Sequence, residues 1–96
     1  MYYLIEVMEA KYLEDYKIEL TFNTGEKRIV DLEFRLYGEI FGPLKDKAIF
    51  MQFRVDKELG TIVWPNGADL APYSLYEIGK PAKKHTKRKQ NSAEIK

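Results

Sequence analysis

Tyr16-Lys17-Ile18-Glu19-Leu20-Thr21-Phe22-Asn23-Thr24-Gly25-Glu26-Lys27-Arg28-Ile29-Val30-Asp31-Leu32-Glu33-Phe34 is the run on which the fold turns. Tyr16, Ile18, Leu20 and Phe22 alternate with Lys17, Glu19 and Thr21, the two-residue period of a strand that buries one face. The alternation resumes at Arg28, with Val30, Leu32 and Phe34 on one side. Between the two runs, Asn23-Thr24-Gly25-Glu26 supplies turn chemistry, with Gly25 free to take a positive φ. Two alternating runs joined by a short polar turn predict an antiparallel hairpin, because only that pairing aligns both apolar faces on one core.

Before the hairpin, Tyr3-Leu4-Ile5-Glu6-Val7-Met8-Glu9-Ala10 is rich in β-formers and predicts a short additional strand, linked to the hairpin through residues 10–15. After it, Gly38, Gly42 and Pro43 punctuate residues 36–43, which read as a loop or one helical turn. Pro43 suits the first turn of a short helix running through Leu44 towards Ile49, where its missing N–H would have been unpaired anyway. Met51, Phe53 and Val55 alternate with Gln52, Arg54 and Asp56; residues 56–60 form a turn, and Thr61-Ile62-Val63-Trp64 is a strand that Pro65 ends. A second hairpin is therefore expected. A last short helix starts at Pro72 behind Ala71, a poor cap, turns Leu75 and Ile78 inwards, and closes on Gly79 in a left-handed conformation. The expected architecture is one small α+β domain over residues 1–79, built from antiparallel β-hairpins and two short helices.

With 96 residues and 11.3 kDa the chain has room for one such domain. Its formal net charge of +1 conceals two opposite halves. Residues 1–79 hold nine basic and fourteen acidic side chains, a balance of −5, whereas residues 80–96 hold seven basic and one acidic, a balance of +6. Residues 80–96 contain one large aliphatic side chain, Ile95, and no aromatic, too little apolar surface to offset ordering entropy of roughly 1–2 kcal/mol per residue. They are expected to form a flexible basic tail. The absence of cysteine excludes disulfides, thiolate metal sites and cysteine nucleophiles. Met1-Tyr2-Tyr3-Leu4-Ile5-Glu6 lacks the basic start and long apolar stretch of a secretory leader, and no apolar run reaches the roughly 20 residues that span a bilayer. A cytoplasmic protein without a membrane partner is the expectation.

Val30-Asp31-Leu32, Phe41, Leu44, Phe50, Val55-Asp56, Gly60-Thr61-Ile62-Val63-Trp64-Pro65-Asn66-Gly67-Ala68-Asp69-Leu70 and Leu75-Tyr76 together carry a resemblance. In these residues the chain resembles a family of small bacterial proteins catalogued as domain of unknown function 2442, most specifically in Trp64-Pro65-Asn66-Gly67. The resemblance implies a small α+β fold with antiparallel strands. Some relatives add a helix-turn-helix, and the genes often lie beside one for another small protein, as in toxin–antitoxin pairs. An accessory or antitoxin-like role with a toxin-like neighbour as protein partner is what this implies. It transfers no catalytic residue, and the tail after Gly79 has no counterpart.

The signature residues Trp64, Pro65, Asn66, Gly67 and Asp69 admit two roles. They could present an indole and two polar side chains to a ligand, or form a corner in which Pro65 stops a strand, Asn66-Gly67 turns the chain and Trp64 packs inwards. The corner is the favoured reading, because aromatics in so small a core are usually packing residues. Glu14 with Asp15, Asp31 with Glu33, and Asp56 with Glu58 read as solvated surface rather than converging acid–base or metal pairs. His85 sits in the tail among lysines, and Ser74 and Ser92 have no base beside them. An enzyme is thus the least supported class, and no cofactor or metal is implied. Lys83, Lys84, Lys87, Arg88 and Lys89 would attract phosphates in a salt-dependent, sequence-blind way, making nonspecific nucleic acid an alternative partner. The same tail also fits a solubilising end or a segment folded back on the acidic body. The −5 body in turn suits a basic protein such as a small nuclease. Strand edges at the first strand or at residues 61–64 offer a homodimer or heterocomplex by strand addition.

Overall fold

The computed structural model describes residues 4–82. Its elements, in order, are β1 (Val7–Glu14), β2 (Lys17–Phe22), β3 (Lys27–Asp31), a 3-10 turn (Glu33–Arg35), α1 (Gly38–Phe41), a second 3-10 turn (Gly42–Lys45), α2 (Lys47–Phe50), β4 (Arg54–Asp56), β5 (Thr61–Val63), α3 (Pro72–Ile78) and β6 (Lys80–Pro81). One sheet has the order β1-β2-β3-β6; β4 and β5 form a separate antiparallel pair. The α+β class with antiparallel strands and short helices is what the alternation predicted.

The expected antiparallel β2–β3 hairpin forms, with Ile18 opposite Val30 and Leu20 opposite Arg28, closed by residues 23–26 with Gly25 at φ 94°. Ile18, Leu20, Phe22 and Val30 are buried, and the core they begin is completed by Leu32, Leu36, Leu44, Phe50, Ile62, Trp64 and Leu75 from beyond the sheet. The helices and the β4–β5 pair therefore cover one face of the sheet. Lys17, Glu19, Ile29 and Asp31 alternate with the buried positions and look outwards.

Several local expectations are corrected. The first strand spans Val7–Glu14, so that Asp15 and Tyr16 are the whole connection to β2, with Asp15 at φ 45°. Asp tolerates that left-handed conformation better than most side chains, and the Tyr12 hydroxyl donates to the Asp15 carbonyl 3.0 Å away. The helix expected from Pro43 to Ile49 is divided: Asp46 is extended, and its carboxylate accepts from the Ala48 N–H at 3.0 Å, capping a new helix, α2. Phe34 does not continue the apolar face of β3. The strand ends at Asp31, the chain winds into a 3-10 turn, and Phe34 emerges 62% exposed. Ile78, placed on the inner side of the last helix, is 37% exposed.

Gly79 departs from expectation in its reason. It is extended, at φ −73° and ψ 146°, not left-handed. What excludes a side chain there is proximity, since a Cβ would lie 2.8 Å from Cβ of Arg28. The close approach lets the chain continue as β6, pairing Lys80 with Ile29 and Pro81 with Arg28. Ordered structure thus extends past the boundary expected at Gly79, and Lys80 belongs to the sheet. Among the described residues, no helix is long and apolar enough to cross a membrane.

Candidate functional site

The signature run turns the chain back on itself. Trp64 N–H donates to the Ala68 carbonyl at 2.9 Å and Gly67 N–H to the Trp64 carbonyl at 2.8 Å, a tight turn that needs Gly67 at φ 89°. The indole is 2% exposed; its Nε1 donates to the Phe50 carbonyl at 2.8 Å, and its ring lies 5.7 Å from that of Phe50 and 6.3 Å from that of Phe53. Asn66 accepts from Ala68 N–H through Oδ1 and donates through Nδ2 to the Ile40 carbonyl at 2.8 Å, fastening the turn to α1. Asp69 bridges Val63 through the backbone, leaving its own side chain exposed, as Pro65 is. The side-chain hydrogen bonds of Trp64 and Asn66 go to backbone groups of Phe50, Ile40 and Ala68.

Two charged clusters join distant segments. The Arg28 guanidinium donates to the Tyr76 carbonyl at 2.6 Å and to Glu26 at 2.9 Å, and lies 3.8 Å from the Tyr76 ring centroid. The Tyr76 hydroxyl donates to the other Glu26 oxygen. That bond, then the Arg28 contact, holds the Glu26 carboxyl below its usual range, and the same carboxylate pushes the Tyr76 phenol up. Across the molecule, Lys47 Nζ lies 3.0 Å from Asp15; it lowers the Asp15 pKa and is itself raised by the carboxylate. Both clusters tie elements together at the surface. Among the described residues, no three histidines, cysteines or carboxylates converge as metal ligands.

A concave feature of the described surface lies elsewhere, on the sheet face opposite the core. A groove of about 760 Å³ is floored by Leu13, Ile29, Phe34 and Ile78 and flanked by Glu14, Lys17, Glu19, Asp31 and Lys80. Phe34 and Ile78, two residues expected in the core, are thus among its walls. Sequence reasoning missed the groove because strand alternation hides a 3-10 turn. The signal was present in Ile29, an aliphatic residue on the otherwise polar side of β3.

The strand edges are also defined. β4 pairs along one side of β5, while on the other side, among the described residues, Val63 bridges Asp69 and Val7 N–H donates to the Gly60 carbonyl just before the strand. β1 is irregular between Val7 and Glu9 and again between Tyr12 and Glu14, and β6 is two residues long and contains Pro81, devices that discourage further pairing. Lys83, Lys84, Lys87, Arg88, Lys89 and His85 lie outside the described residues.

A three-stranded meander extended by a late strand, backed by short helices and a second hairpin, defines a small α+β domain. The chain belongs to the family described as a protein of unknown function, DUF2442, whose model matches residues 7–81. The match ends where β6 ends, which agrees with counting Lys80 and Pro81 in the domain. No curated protein and no solved structure matches the chain.

Proposed function

We propose that the protein is a non-enzymatic interaction module, the antitoxin-like member of a two-protein pair, which engages a basic protein partner through the open face of its sheet. The observation that carries this reading is the groove, where exposed apolar side chains stand among three carboxylates and two lysines. Exposed apolar surface in a concave, polar-rimmed setting favours association. The irregular and proline-containing edges favour side-chain contact over strand addition.

The test is co-expression with the product of the neighbouring gene, followed by co-purification and a growth assay. The expected result is a complex that Phe34→Glu in the groove weakens at least tenfold while the melting curve stays put. A neighbour that neither binds nor harms growth removes the reading. The alternative partner is nucleic acid, supported by the charge of residues 80–96. It predicts an affinity that falls steeply with salt and is lost when Lys83, Lys84, Lys87, Arg88 and Lys89 are neutralised.

A further inference from the structure

The open face of the sheet carries its charges in two adjacent rows of opposite pattern. One row runs Lys11, Glu19, Ile29, Lys80 from β1 to β6, each residue directly across from the next. The neighbouring row runs Glu14, Lys17, Asp31. On β1 and β2 the sign at each position is thus reversed one row along, and over both rows three lysines balance three carboxylates. The row on the far side, Glu9 and Lys27 across Thr21, again holds one charge of each sign. Within one copy these charges are neighbours in the plane of the sheet, with Lys17 Nζ 3.5 Å from Glu14. The face is neutral in sum, so what it recognises is a pattern of charge and not a total. Leu13, Ile29, Phe34 and Ile78 supply apolar ground between the charges. A wholly apolar occupant would strand those charges at a heavy desolvation cost.

We propose that this face joins two copies of the chain in a two-fold homodimer. Turning a second copy end over end, about an axis that crosses the strands between the two rows, lays the first row of each copy on the second row of the other. Lys11 then meets Glu14, Glu19 meets Lys17, and Lys80 lies diagonally over Asp31, every contact being made twice. Aligned sheets stack about 10 Å apart, a gap that a lysine and a carboxylate side chain bridge from opposite sides. Each charge keeps its neighbour in the plane and gains an opposite charge above it, so excluding water leaves none unpaired. The closed symmetry stops assembly at two copies. The matched patch is small, since four strands about 4.8 Å apart span ~15 Å. That places the dimer in the weak class burying less than about 1,200 Å² in total. The dimer does not rest on the partner reading above; a basic partner drawn to the same carboxylates must displace one copy.

Sedimentation of the full-length protein over a concentration series is expected to show a monomer–dimer equilibrium. Lys17→Glu or Glu19→Lys alone should weaken it at least about tenfold, because each sets like charges face to face twice over. An equimolar mixture of the two variants should dimerise again: in the mixed pair the two altered positions face each other and the two untouched ones do likewise. The unaltered protein decides the matter even where a variant folds poorly. On dilution its amide shifts should move at Lys11, Lys17, Glu19, Ile29 and Asp31 and stay fixed on β4 and β5. A protein that stays monomeric at millimolar concentration, shifts that move on β4 and β5 instead, or a mixture of folded variants no more associated than its components overturns the proposal. These measurements use the isolated protein, so a missing dimer leaves the partner reading standing, and a neighbour that never co-purifies leaves the dimer standing.

Discussion

Trp64 shows how a side chain can be distinctive for reasons of packing. Its ring is wedged against Phe50 and Phe53, and its N–H satisfies the Phe50 carbonyl at the end of α2. Trp64→Phe keeps most of the ring but strands that buried carbonyl, and should destabilise by about 1–3 kcal/mol; Trp64→Ala should cost about 3–5 kcal/mol. Asp69→Ala, five residues further on and with an exposed side chain, keeps the backbone bridge and should stay within about 0.5 kcal/mol. Chemical denaturation of the three variants checks this ranking. Gly79→Ala is a separate case, since its φ and ψ suit alanine and what opposes it is the close approach of Arg28 at 2.8 Å and of the Leu75 carbonyl oxygen at 3.2 Å. Overpacking there predicts a loss of about 1–3 kcal/mol, whereas a left-handed glycine would have been sensitive through strain.

The short helices and the hairpins depend on individual ties. α2 is four residues long and cannot persist on propensity alone. Removing its cap with Asp46→Ala should cost about 1 kcal/mol, read from the denaturation midpoint. α3 lacks a side-chain cap altogether and is held instead by Leu75 in the core and by the Arg28–Glu26–Tyr76 cluster. The pH dependence of that cluster has a definite sign. Glu26 titrates lower in the folded protein than in the unfolded chain, so its contribution is in place above the ordinary carboxylate pKa and is lost as pH falls through the lowered value. Tyr76 titrates higher, so its contribution holds below the ordinary tyrosine pKa and is lost as pH rises through the raised value. Tyr76→Phe should therefore flatten both the acid and the alkaline limbs of a melting-temperature profile relative to the parent. An unchanged acid limb would show that Arg28 and Thr24, not Tyr76, set the Glu26 shift.

For the molecule entire, the sheet has one covered face and one open face, and that asymmetry organises the remaining expectations. Phe34→Glu and Leu13→Glu change the open face without touching the core, so stability should move by no more than about 0.5 kcal/mol while partner binding falls. Thermal melts alongside a co-purification assay separate the two effects. A variant that unfolds instead would mean these side chains contribute to the core after all.

The β2–β3 hairpin, the β4–β5 hairpin and the last helix were legible in the residues because each rests on local repetition: alternation, a turn pair, a proline at the start of a helix. Those cues act over a few neighbours and survive whatever the rest of the chain does. Legible too was the inward role of Trp64, which follows from its size in a small core. Not legible were β6, the groove and the positions of Phe34 and Ile78. Each depends on segments far apart in the chain meeting in space: residues 80 and 81 find β3 only because Gly79 can pass Arg28 at close quarters, and Phe34 faces out only because a 3-10 turn rotates it away from the strand that precedes it. Local pattern sets which residues can pair; the packing of distant segments sets which surface is left open.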